Sequence, residues 1–177
     1  FLFVRRATAG AIRDDPDLQQ VGALIGIRVE LAVHDAATGA EHWVGGTGTR
    51  IYGLTASPDD RMLAVVRDDR LEVWAVPEGE MRWSWSGDAG LAPAVWSAEG
   101  RWLVSDRFVG APEIVVWDAR DGTAVQTLRQ GQLRSSLLAL HPDGRRLLSL
   151  DSEGVLRIWD RWTGRELVRG PAGTHAL

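Results

Sequence analysis

Short runs of alternating apolar and polar residues follow one another along most of this chain, and turn-forming residues separate them. The last such region is the clearest. Ser136–Leu140 and Arg146–Leu150 are mostly apolar, Val155–Trp159 alternates, and Arg165–Arg169 carries more charge. Alternation with a period of two is typical of half-buried β-strands, and short continuous apolar runs are typical of buried ones. The pattern therefore predicts four short strands in this region.

The same pattern occurs four times, and each copy begins at a turn rich in Pro, Asp or Gly. These turns start at Asp15, Ser57, Ser97 and His141, which is a repeat of 40–44 residues. Pro presets φ and Gly tolerates a positive φ, so both residues favour tight turns. A fixed period in this range, with several short strands per copy, is the sequence signature of a β-propeller. We predict an all-β propeller segment of about four four-stranded blades.

A large side chain ends the third strand of each copy, and Asp usually follows it. Sheets that pack face to face need large apolar side chains at equivalent positions, and buried Trp residues dominate such cores. The Asp can accept backbone N–H bonds in the turn that follows. Because these residues recur once per blade, we interpret them as scaffold and not as catalytic groups. The structural repeat residues are Trp74, Trp117, Asp118, Trp159 and Asp160.

The repeat also predicts how the chain is divided. We expect one propeller segment over residues 1–177, with blades near residues 9–44, 51–85, 91–128 and 135–169. Phe1–Val4 is interpreted as the outer strand of a preceding blade, and the residues after 173 as the start of the next inner strand. Both ends of the sequence are therefore expected to belong to neighbouring blades.

Several of these residues resemble the WD-repeat (WD40-type) family in its degenerate, bacterial-like form. They are the Trp-Asp pairs at 117–118 and 159–160, and the turns Ser57-Pro58-Asp59 and His141-Pro142-Asp143 upstream of the third strands. The resemblance covers residues 9–177. It implies a ring of seven or eight blades, of which this segment forms part, and a non-catalytic scaffold or sensor module of a larger protein. The family's Gly-His dipeptide is missing from all four copies, so its His–Ser/Thr–Trp–Asp network is not expected here.

A second resemblance leads to a different class of function. Asp35 to Gly39 forms an Asp-x-x-Thr-Gly turn that leads to Trp43, which is similar to the repeat of pyrroloquinoline-quinone-type propellers. That resemblance implies an enzyme or assembly factor with a bound quinone and a Ca²⁺ site of acidic and amide ligands. The chain has no Asn, and the third and fourth copies lack this Trp, so the WD-type interpretation ranks first. A structural oligomerisation module is the remaining alternative.

Propeller geometry places two kinds of connection on one face, around the channel. These connections join the second strand to the third, and the outer strand to the next blade; the WD-repeat resemblance implies that this face binds partners. Phe108 beside Arg107 has the composition of an interface hot spot. The predicted partner-binding residues are Arg50, Arg67, Asp68, Arg107, Phe108, Arg134 and Asp151.

Composition narrows the function classes. The net charge of −4 lacks the basic surplus typical of nucleic-acid binders, and no apolar run is long enough to cross a membrane. The chain has no Cys, its four His residues lack metal-site spacing, and it has neither a nucleophile elbow nor a phosphate-binding loop. We therefore expect no catalysis, no metal, no cofactor and no nucleic-acid or membrane partner. We expect protein partners, with self-association or completion by the rest of a longer chain, in the cytoplasm.

Overall fold

The computed structural model of the chain describes residues 2–9, 27–34, 37–48, 51–67, 69–76, 78–87, 94–108 and 111–171. All regular structure in these ranges is β-strand, so the predicted all-β class is confirmed. The chain divides into two compact units, one of residues 1–50 and 77–79 and the other of residues 51–76 and 80–177. No helix long and apolar enough to cross a membrane occurs in the described ranges.

The first unit contains a three-stranded antiparallel sheet, made of β1 (Leu2–Ala9), β2 (Ile27–His34) and β3 (Glu41–Gly48) in that order. This sheet corrects one predicted boundary. Phe1–Val4 was expected to be the outer strand of a preceding blade, separate from the blade that begins near residue 9. Instead, β1 pairs with β2 along its whole length, from Leu2 opposite His34 to Ala9 opposite Ile27. No Pro or Gly interrupts residues 2–9, so a single strand runs through the predicted boundary.

The second unit contains three four-stranded antiparallel sheets, in which strands that are consecutive in the chain are neighbours. They correspond to the second, third and fourth sequence copies, and we number the sheets accordingly. The second sheet is β4 (Ile51–Ala56), β5 (Met62–Arg67), β6 (Arg70–Ala75) and β7 (Met81–Ser86). The third is β8 (Val95–Trp96), β9 (Trp102–Phe108), β10 (Pro112–Asp118) and β11 (Ala124–Arg129). The fourth is β12 (Ser135–Leu140), β13 (Arg146–Asp151), β14 (Val155–Asp160) and β15 (Arg165–Pro171).

This topology gives each of the three sheets two different ends. At the turn end lie the tight turns between the first and second strands and between the third and fourth strands. At the loop end lie the connection between the second and third strands and the connection to the next sheet. Side chains close the first turns. Ser57 Oγ accepts a bond from Met62 N, and Ser97 Oγ accepts one from Trp102 N, both at 2.9 Å.

Two apolar clusters join the sheets of the second unit. Val73 of the second sheet packs with Leu103 and Trp117 of the third, and Val116 on the other face of the third sheet packs with Trp159 of the fourth. Burial of such a side chain stabilises the fold by about 1.5–3 kcal/mol. Indole N–H groups also link the second and third sheets. Trp83 Nε1 donates to Ala119 O at 2.8 Å, and Trp96 Nε1 donates to Thr55 O at 3.0 Å.

Candidate functional site

The structure describes five of the seven predicted partner-binding residues, and these five lie at the loop end. Arg50 and Asp68 lie outside the described residues. Phe108 is the last residue of β9, and its backbone lies opposite Pro112 at the start of β10. The other four, Arg67, Arg107, Arg134 and Asp151, can be placed with their side chains.

Arg67 ends β5 and is fully buried. Its Nε lies 3.2 Å from Oε2 of Glu72, whose side chain is also buried. Glu72 Oε1 also lies 2.9 Å from Nε of Arg70, so the buried carboxylate is shared by two guanidinium groups. The expectation that Arg67 is a surface contact is therefore corrected: its guanidinium neutralises Glu72 inside the fold and is not accessible to a partner.

Arg107 lies near the end of β9 and is only 19% exposed. Its Nη2 donates to Glu113 Oε2 at 2.7 Å, and its guanidinium carbon lies 5.8 Å and 5.9 Å from the ring centres of Trp85 and Trp117. The guanidinium group therefore contacts both the Glu113 carboxylate and two indole rings. Arg107 can offer a partner only a fixed, partly covered edge of its guanidinium group.

Asp151 ends β13 and is also buried, so it too is corrected as a surface contact. Its Oδ1 accepts bonds from the backbone N–H groups of Glu153 and Val155, and its Oδ2 lies 2.8 Å from Arg157 Nη1. Burial acts to raise the pKa of Asp151, but Arg157 and the two backbone donors together lower it. The carboxylate therefore uses its hydrogen bonds to hold the turn between β13 and β14.

A buried polar cluster joins the third sheet to the connection that leads to the fourth. Asp106 Oδ2 accepts a bond from Ser135 N at 2.8 Å, and its Oδ1 accepts one from Gln130 Nε2 at 3.4 Å. Ser135 Oγ in turn donates to Gln130 Oε1 at 2.8 Å. Burial raises the pKa of Asp106 to about 6, although the hydrogen bonds from Ser135 and Gln130 and the charge of half-buried Arg134 act to lower it. No local sequence pattern indicates that Asp106 bridges two sheets.

Beside this cluster, the loop end of the fourth sheet forms an open groove of about 360 Å³, which we call the loop-end groove. Its floor and walls combine the connection before β12, the turn after β13 and the strands β14 and β15. Asp151 and Arg157 make the buried part, whereas Glu153 and Arg169 are exposed. The lining residues are Gly131, Gln132, Leu133, Asp151, Glu153, Val155, Arg157 and Arg169.

The structural repeat residues make two kinds of contact. Trp117 and Trp159 are buried, and their Nε1 atoms donate to Ser105 Oγ at 2.9 Å and Ser149 Oγ at 3.0 Å. These pairs are the Ser–Trp part of a network that the missing Gly-His dipeptide led us not to expect. The second sheet differs, since half-buried Trp74 donates to Glu72 Oε2 at 3.0 Å.

Asp118 and Asp160 organise the turns that follow the third strands. Asp118 Oδ1 accepts a bond from Arg120 N at 3.1 Å, and Asp160 Oδ1 accepts bonds from the backbone of Trp162 and Thr163 at 3.1 Å. The side-chain bond from Arg120 lowers the pKa of Asp118 to about 2. The side-chain bond from Arg145, which precedes β13, lowers the pKa of Asp160. Asp118 therefore acts within its own turn, whereas Asp160 also ties its turn to the one before β13.

Among the described residues, no group of three or more His, Cys, Asp or Glu side chains is placed to hold a metal ion. At the loop end, the carboxylates of Asp106, Glu113 and Asp151 are bonded to backbone N–H groups, an amide or Arg side chains of the same fold. What remains for a ligand is the loop-end groove, with an acidic and a basic side chain at its rim and apolar contacts between them.

Solved WD40 repeat domains share this fold. Over 73% of this chain, the structure of U3-55K matches with a TM-score of 0.65 and 19% sequence identity, and the match covers 42% of that chain. The WD40 repeats of RRP9 match equally well over 74% of this chain and 41% of theirs. The chain thus spans less than half the length of these proteins. The predicted WD-type propeller fold is confirmed. No protein-family model and no curated protein matches the sequence.

Proposed function

We propose that the chain is a non-catalytic protein-interaction module that binds a partner protein at its loop end. The loop-end groove is the observation that carries this proposal. The WD40-type fold supports it as well, because propeller blades hold their loops on a rigid scaffold while the loop sequences vary.

The groove suits a peptide segment of a partner. Leu133 and Val155 supply apolar surface, while exposed Glu153 and Arg169 can pair with charges of either sign at the rim. The buried ion pair of Asp151 and Arg157 fixes the wall. A wall that is already ordered lowers the entropy lost when a partner binds.

The remaining predicted contacts belong to the same proposal. Arg107 and Arg134 lie at the loop end with part of their side chains accessible. Arg50, Asp68 and Phe108 stay predictions for the same face. We expect them to act as an outer rim that orients the partner and contributes less to affinity than the groove.

Site-specific cross-linking tests the proposal. A photoreactive amino acid replaces exposed Gln132 in the groove, and in a control it replaces exposed Thr127 on the outer strand β11. Both proteins are irradiated in a lysate of the source organism. We expect one defined polypeptide to couple at position 132 and not at 127. The substitution Arg169→Glu should reduce that product, while Arg129→Glu on β11 should not.

Equal coupling at both positions, or a product insensitive to Arg169→Glu, contradicts binding in the groove. The other classes of function have their own measurements. Quinone absorbance together with stoichiometric Ca²⁺ in the purified chain would favour a quinone-type propeller over an interaction module. A defined oligomer that hides position 132 would favour a structural oligomerisation module.

A further inference from the structure

Four side chains at the turn end stack into a cluster that spans the third and fourth sheets. We call Arg101, Trp102, Arg161 and Trp162 the Arg–Trp cluster. The guanidinium carbon of Arg161 lies 3.9 Å from the ring centre of Trp162 and 5.0 Å from that of Trp102. Arg101 lies 4.5 Å from the Trp102 ring, and the two indoles meet edge to face at 6.1 Å. Each ring therefore contacts a cation.

The cluster has a buried base and an exposed rim. Trp102 and Arg161 are only 8% and 3% exposed, whereas Trp162 is 60% exposed and Arg101 is exposed as well. Among the described large apolar residues that are exposed, Trp162 has the greatest exposed fraction. An indole held this far in solvent on an ordered base is the composition of an interaction hot spot.

The repeat shows that scaffold packing does not require this cluster. The residue at the position of Arg161 is Val76 in the second sheet and Ala119 in the third. In all three sheets its backbone N donates to the Arg that precedes the second strand, at 2.8–2.9 Å. Both equivalents are small, buried and apolar. The same backbone hydrogen bond therefore forms without a charged side chain at this position.

Keeping a charge at this position is unfavourable for the isolated fold. Burial lowers the pKa of Arg161, Glu99 acts to raise it, and the like charge of Arg101 lowers it further. Glu99 does not form an ion pair with Arg161; the hydrogen bond of the Arg161 side chain goes from Nε to Gly144 O. A carboxylate supplied from outside would offset the repulsion between the two guanidinium groups.

Arg101 is also left without a carboxylate, for a reason visible in the repeat. In its equivalent in the fourth sheet, Arg145, the Nη2 atom lies 2.6 Å from Oδ2 of Asp160. In the third sheet Arg120 binds the equivalent Asp118 with two bonds, at 2.9 Å and 2.7 Å. Among the described residues, Arg101 forms no ion pair. Arg101 therefore presents its charge to solvent beside an exposed indole, next to the buried charge of Arg161.

We propose that the Arg–Trp cluster binds an acidic peptide segment of a partner protein, with a peptide carboxylate on exposed Arg101, beside the buried guanidinium of Arg161, and a neighbouring apolar side chain on Trp162. This inference rests on the proposed function as an interaction module, but it places a second contact at the opposite end of the sheets. Charge complementarity selects the peptide class, because the uncompensated charges of the cluster are positive although the whole chain carries −4.

Fluorescence anisotropy of labelled short peptides tests this binding. The probes alternate Glu and Leu, and matched peptides carry Gln in place of Glu. We expect the acidic peptides to bind the full 177-residue chain in a salt-sensitive way, and the Gln peptides to bind at least about tenfold more weakly. Trp162→Ala and Arg101→Gln should each weaken binding by about tenfold or more. Leu167→Ala and Arg129→Gln are matched exposed controls on outer strands and should leave binding unchanged.

Equal affinity of the two peptide sets, or no effect of Trp162→Ala and Arg101→Gln, overturns the inference. So does tighter binding of a DNA duplex at the cluster, or a dimer that Trp162→Ala dissociates, since the occupant would then be a nucleic acid or a second copy. Cross-linking at Gln132 is repeated with Trp162→Ala. If the groove product persists while peptide binding fails, only this inference is lost and the proposed function stands.

Discussion

At the scale of single residues, one substitution between repeat copies decides whether a charge is paired internally or presented to solvent. The Arg before the second strand is present in the third and fourth sheets as Arg101 and Arg145. Arg145 pairs with Asp160, whereas Arg101 forms no ion pair with Asp118, which Arg120 binds. The position of Arg120 is occupied by Trp162 in the fourth sheet. Exchanging an Arg for a Trp there changes which cation is available to a ligand.

Asp106 should make stability depend on pH in a window of its own. Its pKa is about 6 in the folded protein, against about 3.9 for an unfolded chain. The folded state therefore binds the extra proton, so the free energy of unfolding should fall as pH rises from about 4 to about 6, by up to about 3 kcal/mol. The substitution Asp106→Asn, which cannot ionise, should remove this slope in urea unfolding measured across the window.

Other carboxylates titrate in a lower pH range than Asp106. The pKa values of Asp118 and Asp160 are lowered, so their contribution is lost only as pH falls below the unfolded value of about 4. Exposed Asp121→Asn serves as the control for removing a carboxylate. A slope that survives in Asp106→Asn would show that Asp106 is not the group responsible.

Ser149 should matter more to stability than an exposed Ser. It is fully buried and accepts the indole N–H of Trp159 at 3.0 Å. Ser149→Ala leaves that donor without an acceptor in the core, which costs about 1–3 kcal/mol. Ser84→Ala on the exposed side of β7 should change the urea midpoint little. Equal effects of the two substitutions would mean that the Ser–Trp bond adds nothing measurable.

At the scale of elements, some tight turns reverse the chain and also pack against the neighbouring sheet. Gly122, in the turn between β10 and β11, has a φ of 75°. A Cβ there would lie 2.7 Å from Cδ2 of Trp83, the residue whose indole N–H bonds Ala119 O. The turn of the third sheet and the outer strand of the second are therefore one packing unit.

Gly122→Ala should destabilise the fold more than the same change in an open turn. Strain at positive φ costs about 1–2 kcal/mol, and overpacking against Trp83 adds about 1–3 kcal/mol. Gly154 provides the comparison, since its φ is 77° but a Cβ added there would meet nothing within 4 Å. Gly154→Ala should show the backbone cost alone in urea unfolding. Identical losses for both variants would exclude a packing role for Gly122.

At the scale of the whole molecule, the second unit buries apolar surface between its sheets but leaves one apolar sheet face uncovered by the described residues. Leu147 and Trp159 of the fourth sheet pack on the third, whereas Leu148 and Ile158 point to the other side and line a groove of about 210 Å³. Leu137 and Val168 on the same sheet are 45% and 50% exposed. A continuous apolar surface of this kind promotes association in water.

Introducing charge on this face should reduce association without unfolding the protein. The double substitution Leu137→Lys and Val168→Lys alters exposed positions, so little burial is lost. We expect a lower mass by light scattering and an unchanged urea midpoint. Val125→Lys, at an equally exposed position of β11, is the control and should leave the mass unchanged. An unaltered mass in the double variant would show that this face does not drive association.

The amino-acid pattern alone was enough to predict the all-β class, and the order of strands and the turns between them in the second, third and fourth repeat copies. It was enough because a period of two and turn-forming residues act locally, and a meander pairs strands that are adjacent in the chain. Where that signal was weak, as across residues 2–9, the predicted boundary was wrong.

Which charges are available to a ligand depends instead on how the sheets pack. Arg67 and Asp151 proved to be buried partners of Glu72 and Arg157. The Arg–Trp cluster exists because sheet packing brings together side chains that are far apart in sequence, and no local pattern encodes that proximity.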